Sequence, residues 1–351
     1  MRIPAKASAF LAATVVLTGT ACAVDPATTD SSSNGGGQKL TVACGAMEEV
    51  CSAWTKAFTA KTGIQTSFVR LSSGETVARL AAAKAAPEFD VWHGGPADGF
   101  GAAVEQDLLE KYIGPTGEKI PARYKDPDGY WAGVYVGALG FCSNKKILDE
   151  LGAPVPTSWD DLLDPKFAKQ ISTAHPSTSG TAFTTLWTQV TRLGGEDAGL
   201  DYMRRLHNNV LQYTKSGTAP GQVAGRGEAA VGLVFSHDCA LYKERGMNDL
   251  VISFPKEGTG YEIGGVAVVK GSKQQEAAKK YADWALTAEA QELGPTVGSY
   301  QVHTNPDAKA DERSVKLDEV KLVDYDFEKA AKAKKSLTSR FDSEIAAEPK
   351  A

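Results

Sequence analysis

Residues 131–142 read W-A-G-V-Y-V-G-A-L-G-F-C, and residues 261–269 read Y-E-I-G-G-V-A-V-V. Both segments are apolar and rich in glycine, and each runs longer than the four to eight residues or so that are common for a buried strand. A complete further set of strand and helix patterns lies between them, at 147–255. The chain is therefore expected to leave one lobe, build a second and return, so that the two long strands form a hinge.

Strand and helix patterns also alternate before the first of these segments. A short apolar strand at 40–43 precedes a helical pattern at 47–63, which ends at a glycine, and strands follow at 64–71 and 89–92. This order predicts an α/β fold in which each lobe is a mostly parallel sheet flanked by helices. Ligands of open α/β sheets bind at the carboxyl ends of strands, which places a ligand in the cleft between the lobes. The predicted ranges are 39–133 and 264–310 for lobe 1, and 134–263 and 311–346 for lobe 2.

The first 22 residues have the pattern of an export signal. A positive start precedes the apolar run 7–17, which is shorter than the ~20 residues needed to span a bilayer. Residues 19–22 (G-T-A-C) resemble a lipobox, which predicts a lipid on Cys22; cleavage at the A-x-A site 21–23 is the alternative. Residues 23–38 are predicted to be a flexible tether of roughly 20–24 Å. We therefore expect an exported, periplasmic or cell-surface protein that meets the membrane only through its anchor.

The composition is that of a soluble globular protein, with 42% hydrophobic and 23% charged residues and a net charge of −5. The absence of a basic cluster argues against a nucleic-acid partner, and we expect a monomer without cofactor or metal. Besides Cys22, the chain has Cys44, Cys51, Cys142 and Cys239. Export favours disulfides, and the sequence lacks the C-x2-C spacing that is typical of zinc sites. The expected pairs are Cys44–Cys51 and Cys142–Cys239, although four cysteines allow three pairings.

Four segments carry a family resemblance. They are F-D-V-W-H-G-G-P (89–96), P-T-S-W-D-D-L-L-D-P-K-F (156–167), G-E-A-A-V-G-L-V-F (227–235) and G-Y-E-I-G-G-V-A-V-V-K-G (260–271). Together with the export signal, they resemble the bacterial solute-binding proteins of ABC importers, in the ferric-binding-protein-like branch. The resemblance covers about 40–346 and implies a type II periplasmic-binding-protein fold that delivers its ligand to the membrane subunits of an ABC permease. It does not name the ligand.

Three serine–glycine turns repeat one chemistry. Residues 72–74, 177–181 and 216–218 each follow an extended stretch and precede a helical pattern. Free N–H groups at helix starts and nearby hydroxyls bind anions without a formal positive charge, whereas simple N-capping is the alternative. Because the family folds these strand ends toward the cleft, the resemblance favours an oxyanion, above all a phosphate. The candidate contacts are Ser72, Ser73, Gly74, Ser177, Thr178, Ser179, Gly180, Thr181, Ser216 and Gly217.

Residues 231–239, V-G-L-V-F-S-H-D-C, end a buried strand with His237 and Asp238. Ferric-binding members of the branch carry two consecutive tyrosines at this place, but no Tyr-Tyr pair occurs in this chain. Hexose-phosphate-binding members instead resemble it at His237, Asp238 and Glu262, which implies that these residues hold sugar hydroxyls while the serine turns hold phosphate. A phosphonate ligand, or ferric iron on Glu262, His237 and Asp238, stays an alternative, and so does a strand-end His237 bonded to backbone.

An enzyme is the alternative outside this class. Ser143 and Lys146 satisfy S-x-x-K, and residues 215–217 resemble K-T-G, but the S-D-N element of penicillin-recognising enzymes is missing between them. On a regular strand, His237 and Asp238 would point to opposite faces, which does not suit an acid–base relay. We expect a binding protein without catalytic residues; a secreted hydrolase and a purely structural surface protein are the competing hypotheses.

Overall fold

The computed structural model describes residues 39–347 of the chain. The predicted signal (1–22), the predicted tether (23–38) and the predicted lipidation site Cys22 lie outside the described residues. Between residues 39 and 347, no helix is long and apolar enough to cross a membrane.

The described part of the chain alternates between strands and helices. The strands are β1 (Lys39–Cys44), β2 (Gln65–Arg70), β3 (Val91–Pro96), β4 (Leu109–Glu110), β5 (Ala132–Asn144), β6 (Ile171–Ala174), β7 (Val210–Thr214), β8 (Val231–Phe235), β9 (Leu250–Ser253), β10 (Tyr261–Val269) and β11 (Val302–His303). The α-helices are α1 (Glu48–Thr62), α2 (Ser73–Ala82), α3 (Ala97–Glu105), α4 (Pro115–Lys119), α5 (Lys145–Leu151), α6 (Gly180–Leu193), α7 (Glu196–His207), α8 (Ala219–Gly225), α9 (Ser236–Glu244), α10 (Gln275–Ala285), α11 (Ala288–Gln291), α12 (Leu293–Thr296) and α13 (Phe327–Glu344). Short 3-10 helices lie at Ala122–Tyr124, Asp161–Leu163, Pro165–Phe167 and Leu317–Glu319.

The strands form one mixed sheet in the order β2-β1-β3-β10-β5-β8-β6-β7, with β4 paired to β10 and with β9 and β11 paired to β5. β1 is parallel to β2 and β3, and β6 is parallel to β7 and β8. β5 and β10 are antiparallel to each other and to their outer neighbours β8 and β3. The predicted parallel pairs are present, but the two long strands add antiparallel pairs because each runs against its neighbours.

The long strand β5 is buried along its whole length of 13 residues. Its first part pairs with β10 as far as Ala138, and its second part pairs with β8 from Leu139 onward. One strand therefore passes from one group of partners to the other, as expected of a crossover strand between lobes.

The apolar core is divided in the same way. The largest cluster runs from Leu139 to Phe341 and draws only on the ranges predicted for lobe 2. Two further clusters draw mainly on residues 40–136 and 263–290. The lobe boundaries at 133/134 and 263/264 lie inside β5 and β10, and they stay a prediction.

The helix α13 lies in the tail of the described chain. Its residues Leu337 and Phe341 are fully buried in the largest cluster, and the helix also lies against α3, α6 and α7. Lys334 of α13 forms an ion pair with the fully buried Asp98 of α3. The tail helix therefore contacts both predicted lobes, because Lys334 reaches the buried Asp98 on α3.

Both expected disulfides are present. Cys44–Cys51 joins the end of β1 to α1, and Cys142–Cys239 joins β5 to the first turn of α9. They close segments with sequence separations of 7 and 97 residues. The second disulfide lies next to Asp238 in the chain, so it holds the start of α9 against the crossover strand.

Candidate functional site

A cleft lies where β2, β3 and β8 end and where α2, α6, α8 and α9 begin. Its volume, including the mouth that opens to solvent, is about 550 Å³. It is lined by Gly45, Ala46, Met47, Arg70, Leu71, Ser72, Ser73, Gly95, Pro96, Tyr135, Ser179, Gly180, Thr181, Ser216, Gly217, Thr218, Phe235, His237, Asp238, Glu262, Ser299 and Gln301. The space is narrow enough that a bound molecule would touch several walls at once.

Most of the residues predicted to contact a ligand line this cleft, but Gly74, Ser177 and Thr178 do not. The backbone N–H of Gly74 donates to the carbonyl of Thr178 at 3.2 Å. The Ser177 hydroxyl donates to Asp342 Oδ1 at 2.8 Å, and the Thr178 hydroxyl donates to the Lys215 carbonyl at 3.1 Å. Neighbouring protein groups already use these polar atoms, and ligand contact by the three residues stays a prediction.

The two longer helices at the cleft begin with serine caps. Ser72 donates to Glu75 Oε2 from both its hydroxyl, at 2.6 Å, and its backbone N–H, at 3.1 Å, which stabilises the start of α2. Ser179 accepts from the N–H of Ala182 at 3.4 Å at the start of α6. The first N–H groups of a helix have no partner within the helix, and Gly180 in the first turn of α6 lines the cleft. A capping hydroxyl and a helix start that faces the cleft therefore coexist here.

Glycine allows the three serine turns to converge. A Cβ atom on Gly217 would lie 2.1 Å from Thr181 Oγ1 and 2.8 Å from Ser179 Oγ. A Cβ atom on Gly180 would lie 2.9 Å from Ser73 Oγ. These approaches are closer than real Cβ contacts allow, so each turn needs glycine at its tip. We call this group of hydroxyls and helix starts, Ser72, Ser73, Ser179, Gly180, Thr181, Ser216 and Gly217, the anion end of the cleft.

Arg70 adds a positive charge beside the anion end. Its Nε donates to the carbonyl of Ala46 at 3.0 Å, and its terminal nitrogen donates to Ser216 Oγ at 3.3 Å. Among the described residues that line the cleft, it is the one lysine or arginine. Sequence reasoning missed it because a lone arginine at a strand end looks like any exposed arginine. Its position directly before the turn at 72–74 was the available signal.

The opposite wall of the cleft is built where β8 passes into α9. The strand ends at Phe235, so His237 and Asp238 lie in the first turn of a helix. Consecutive helical residues are about 100° apart rather than on opposite faces, and both side chains line the cleft. Opposite faces were expected for a regular strand, and that expectation does not apply because the chain turns into a helix directly after Phe235. With Glu262, we call His237 and Asp238 the acid end.

The acid end is compact and buried. His237 Nε2 lies 3.8 Å from Asp238 Oδ1 and 3.7 Å from Glu262 Oε1, and 3.3 Å from Gln301 Nε2. Burial lowers the pKa of His237 to about 3, so its imidazole is neutral at neutral pH. The contacts with the two carboxyl groups are therefore not ion pairs, and they are longer than hydrogen bonds.

Both carboxyl groups are difficult to ionise. Burial raises the pKa of Asp238 to about 7, against a smaller opposing effect of the Arg70 charge. Burial also raises the pKa of Glu262 well above its usual range, and the negative charge of Asp238 adds to the shift. Within residues 39–347, His237 Nδ1 and Asp238 Oδ1 have no hydrogen-bond partner. An unsatisfied buried polar atom costs about 1–3 kcal/mol, so a hydroxyl that reached these atoms would be strongly favoured.

Three residues adjoin the acid end, and sequence reasoning missed two of them, Gly137 and Gln301. A Cβ atom on Gly137 of β5 would lie 2.8 Å from His237 Nδ1 and 3.2 Å from Glu262 Oε1, so glycine leaves room for both. Tyr135 lines the cleft, and its hydroxyl accepts from the N–H of Gly95 at 3.0 Å. Gln301 lies beside His237, but it comes from a loop far along the chain.

A ring face can pack against a sugar, and four nearby side chains carry one: Trp92, His93, Trp131 and Tyr135. Of these four, only Tyr135 lines the cleft. Trp92 stacks on Phe100 in a core cluster, and the other two are buried. In residues 39–347, no group of three or more His, Cys, Asp or Glu side chains is arranged to hold a metal ion.

Comparison with known proteins places this chain in a family. The model of the bacterial extracellular solute-binding proteins matches residues 53–320. The chain belongs to this family. Its fold is the two-lobed type II periplasmic-binding-protein fold, and its class comprises the proteins that supply small molecules to ABC importers, as the four sequence segments implied.

Three relatives show the range of the family. The periplasmic binding protein AfuA from Actinobacillus pleuropneumoniae, solved with exogenous fructose-6-phosphate bound, is 41% identical with a TM-score of 0.85, and the match covers 88% of this chain and 98% of AfuA. A Salmonella typhimurium protein provisionally named a 2-aminoethylphosphonate-binding periplasmic protein is 30% identical over 67% of this chain and 68% of its own length. Iron-bound HitA from Pseudomonas aeruginosa is 21% identical with a TM-score of 0.75, covers 86% of this chain and 98% of HitA, and shares the fold.

Proposed function

We propose that this solute-binding protein captures a hexose phosphate in its cleft and delivers it to an ABC permease. The observation that carries the proposal is the pairing, in one cleft, of an anion end built from neutral donors with a buried acid end. A hexose phosphate carries the matching groups, an anionic phosphate joined to a ring of hydroxyls.

The phosphate would be held at the anion end. Serine and threonine hydroxyls and the first N–H groups of α2 and α6 are donors, and helix N-termini favour negative charge. Arg70 supplies a full positive charge next to these donors. A guanidinium matches phosphate geometry well, so the phosphate needs no further cation from the described cleft.

The sugar hydroxyls would be held at the acid end. His237 Nδ1 and Asp238 Oδ1 are buried atoms that the described protein leaves without a hydrogen-bond partner, and the Glu262 carboxyl group lies beside them. Hydrogen bonds to charged groups contribute roughly 1.5–3 kcal/mol each, so a carboxylate that ionises on binding two hydroxyls would gain affinity. The likeness to AfuA, solved with fructose-6-phosphate, supports the same assignment.

Other ligands remain as competing outcomes. The Salmonella relative favours an aminoalkylphosphonate, but such a ligand lacks the hydroxyls that would fill the acid end. Ferric iron prefers anionic oxygen ligands, whereas burial keeps the pKa of Asp238 and of Glu262 raised. A hydrolase needs a base within hydrogen-bond reach of its partner, and the imidazole of His237 is more than 3.6 Å from both carboxyl groups. We therefore also propose that the protein is not an enzyme.

We further propose that the protein is exported, that Cys22 carries a lipid anchor, and that the molecule acts as a monomer. Mass spectrometry of protein prepared from its own cells without unfolding tests the ligand and the anchor together. We expect a hexose phosphate to be released on denaturation, and we expect an acylated Cys22 at the new N-terminus. Prolonged incubation should return added hexose phosphate unchanged. Release of iron or of a phosphonate, or consumption of the hexose phosphate, would contradict the proposal.

A further inference from the structure

Gly74, Ser177 and Thr178 adjoin the anion end without lining it. Gly74 follows Ser73 at the start of α2, and Thr178 precedes Ser179 at the start of α6. The N–H of Gly74 donates to the carbonyl of Thr178 at 3.2 Å. Because Ser73 and Ser179 are the chain neighbours of Gly74 and Thr178 and both line the cleft, this backbone contact joins two of the serine turns next to the anion end.

The contact is tight. A Cβ atom on Gly74 would lie 2.3 Å from the carbonyl oxygen of Ser177 and 3.1 Å from the Cα atom of Thr178. Both of these atoms belong to the backbone, which cannot rotate away as a side chain can. The Ser177 hydroxyl donates to Asp342 of α13 at 2.8 Å, which holds the turn from the far side. No space for a further substituent exists between the two turns.

Other contacts bound the rest of the anion end. A Cβ atom on Gly180 would lie 2.9 Å from Ser73 Oγ, and one on Gly217 would lie 2.1 Å from Thr181 Oγ1. Arg70 reaches Ser216 Oγ at 3.3 Å and crosses the gap between the first turn and the third. The three turns and the arginine therefore border the anion end, and the cleft continues from it toward the acid end.

We infer that the cleft accepts only a terminal phosphate, bonded to the ligand through one oxygen, and that the contact between Gly74 and Thr178 enforces this selection. The inference rests on the proposed function, which places the phosphate at the anion end. A phosphodiester carries a second organic group, bonded to another of the phosphate oxygens, and that group would meet the joined turns. Built-in steric exclusion of a competitor is a common source of specificity.

Three ligands that share one hexose separate shape from charge. They are the hexose 6-phosphate, its methyl phosphodiester and the hexose 6-sulfate, each titrated into the parent protein by calorimetry. The diester and the sulfate carry the same single negative charge, but only the diester has the extra methyl group. We expect the phosphate to bind most tightly and the diester to bind at least about thirtyfold more weakly than the sulfate, which corresponds to roughly 2 kcal/mol.

The variant Gly74→Ala tests the contact itself. Alanine suits a helical position, but its methyl group must push the joined turns apart, so the melting temperature should fall by a few degrees while the protein still unfolds in one cooperative step. We expect phosphate affinity to fall about tenfold and the ratio of sulfate to diester affinity to fall at least about threefold. Gly195→Ala is the matched control, because a Cβ atom there has nothing within 4 Å, and it should leave all three affinities unchanged.

The outcomes are distinguishable. A diester that binds the parent as tightly as the sulfate would overturn the inference and leave the proposed function in place. A Gly74→Ala variant that keeps the full ratio would overturn the role of the contact. Failure of the phosphate, the sulfate and the diester alike to bind the parent would overturn the proposed function, and the inference with it.

Discussion

The anion end and the acid end of the cleft prepare polar groups for a ligand in opposite ways. At the anion end, hydroxyls and helix starts are neutral, and the single cation, Arg70, is exposed and already bonded to Ala46 and Ser216. At the acid end, His237, Asp238 and Glu262 are almost completely buried. Their pKa shifts all favour the neutral form. Dipoles can therefore be arranged at little cost, whereas buried titratable groups reduce stability until a ligand satisfies them.

The surroundings of the two ends differ accordingly. The start of α9, which carries the acid end, is tied to β5 by the Cys142–Cys239 disulfide. The serine turns are held by hydrogen bonds and by close packing at glycine. Covalent support therefore lies where the folded structure keeps unsatisfied polar atoms.

The largest effect is expected from the covalent support of the acid end. The double substitution of Cys142 and Cys239 by alanine should lower the free energy of unfolding by roughly 4–5 kcal/mol, because the closed segment is long. The same substitution of Cys44 and Cys51 should cost only roughly 2 kcal/mol, because their segment is short. Urea unfolding measures both losses. Equal losses for the two pairs would contradict this ranking.

The next effect concerns the pH dependence of stability. The pKa of Asp238 is raised from 3.8 to about 7 in the folded protein, so the folded state holds its proton more tightly than the unfolded state does. The stabilisation is complete below about pH 4 and is lost as pH rises through about 7. Relative to Asp238→Asn, the parent should lose roughly 4 kcal/mol across this range. Urea unfolding of both proteins from pH 4 to pH 8 measures it; a constant difference would show that Asp238 is not buried as described.

Several elements of the fold could be predicted from the sequence alone. The strand at Tyr261–Val269 was predicted with the bounds that the structure has, and the first helix ends at Gly63, as its left-handed backbone requires. Periodicity and glycine carried those predictions because they are local. The two disulfides were also predicted, since export and spacing favour them.

The rest depends on contacts between distant segments. Local pattern gave the apolar strand at Val231–Phe235 but not the helix that begins at Ser236, and this helix sets the directions of His237 and Asp238. The serine turns were recognised, but their outer residues Gly74 and Thr178 bond to each other, which no single turn indicates. Gln301 reaches the acid end from a separate loop, and nothing in its own neighbourhood marks it as part of a site.

A ligand-affinity effect of intermediate size follows from the acid end. Asp238→Ala should weaken hexose-phosphate binding by roughly 2–4 kcal/mol, or about thirtyfold to a thousandfold, because a charge-assisted pair of hydrogen bonds is lost. Binding of inorganic phosphate, which has no hydroxyl arms, should stay weak and unchanged in calorimetry. Asp249→Ala, at an exposed position outside the cleft, is the matched control. If Asp249→Ala and Asp238→Ala had the same affinity, the acid end would play no part in binding.

The smallest effect is expected at the anion end. Ser72→Ala removes the hydroxyl that bonds Glu75 and should lower the free energy of unfolding by about 1 kcal/mol. Hexose-phosphate affinity should fall by about tenfold or less, because several donors share the phosphate. Ser67→Ala, on the exposed part of β2, serves as the control in thermal unfolding and calorimetry. A loss at Ser72 larger than the loss at Asp238 would reverse the comparison of the two ends.

The most direct test of the two-ended cleft is a set of calorimetric titrations of the parent protein with a hexose 6-phosphate, the free hexose, inorganic phosphate, 2-aminoethylphosphonate and ferric citrate. Because one molecule must fill both ends, we expect only the hexose 6-phosphate to bind tightly, at least about a hundredfold more tightly than either half alone. Tight binding of ferric citrate or of 2-aminoethylphosphonate, with no binding of the hexose phosphate, would contradict the account.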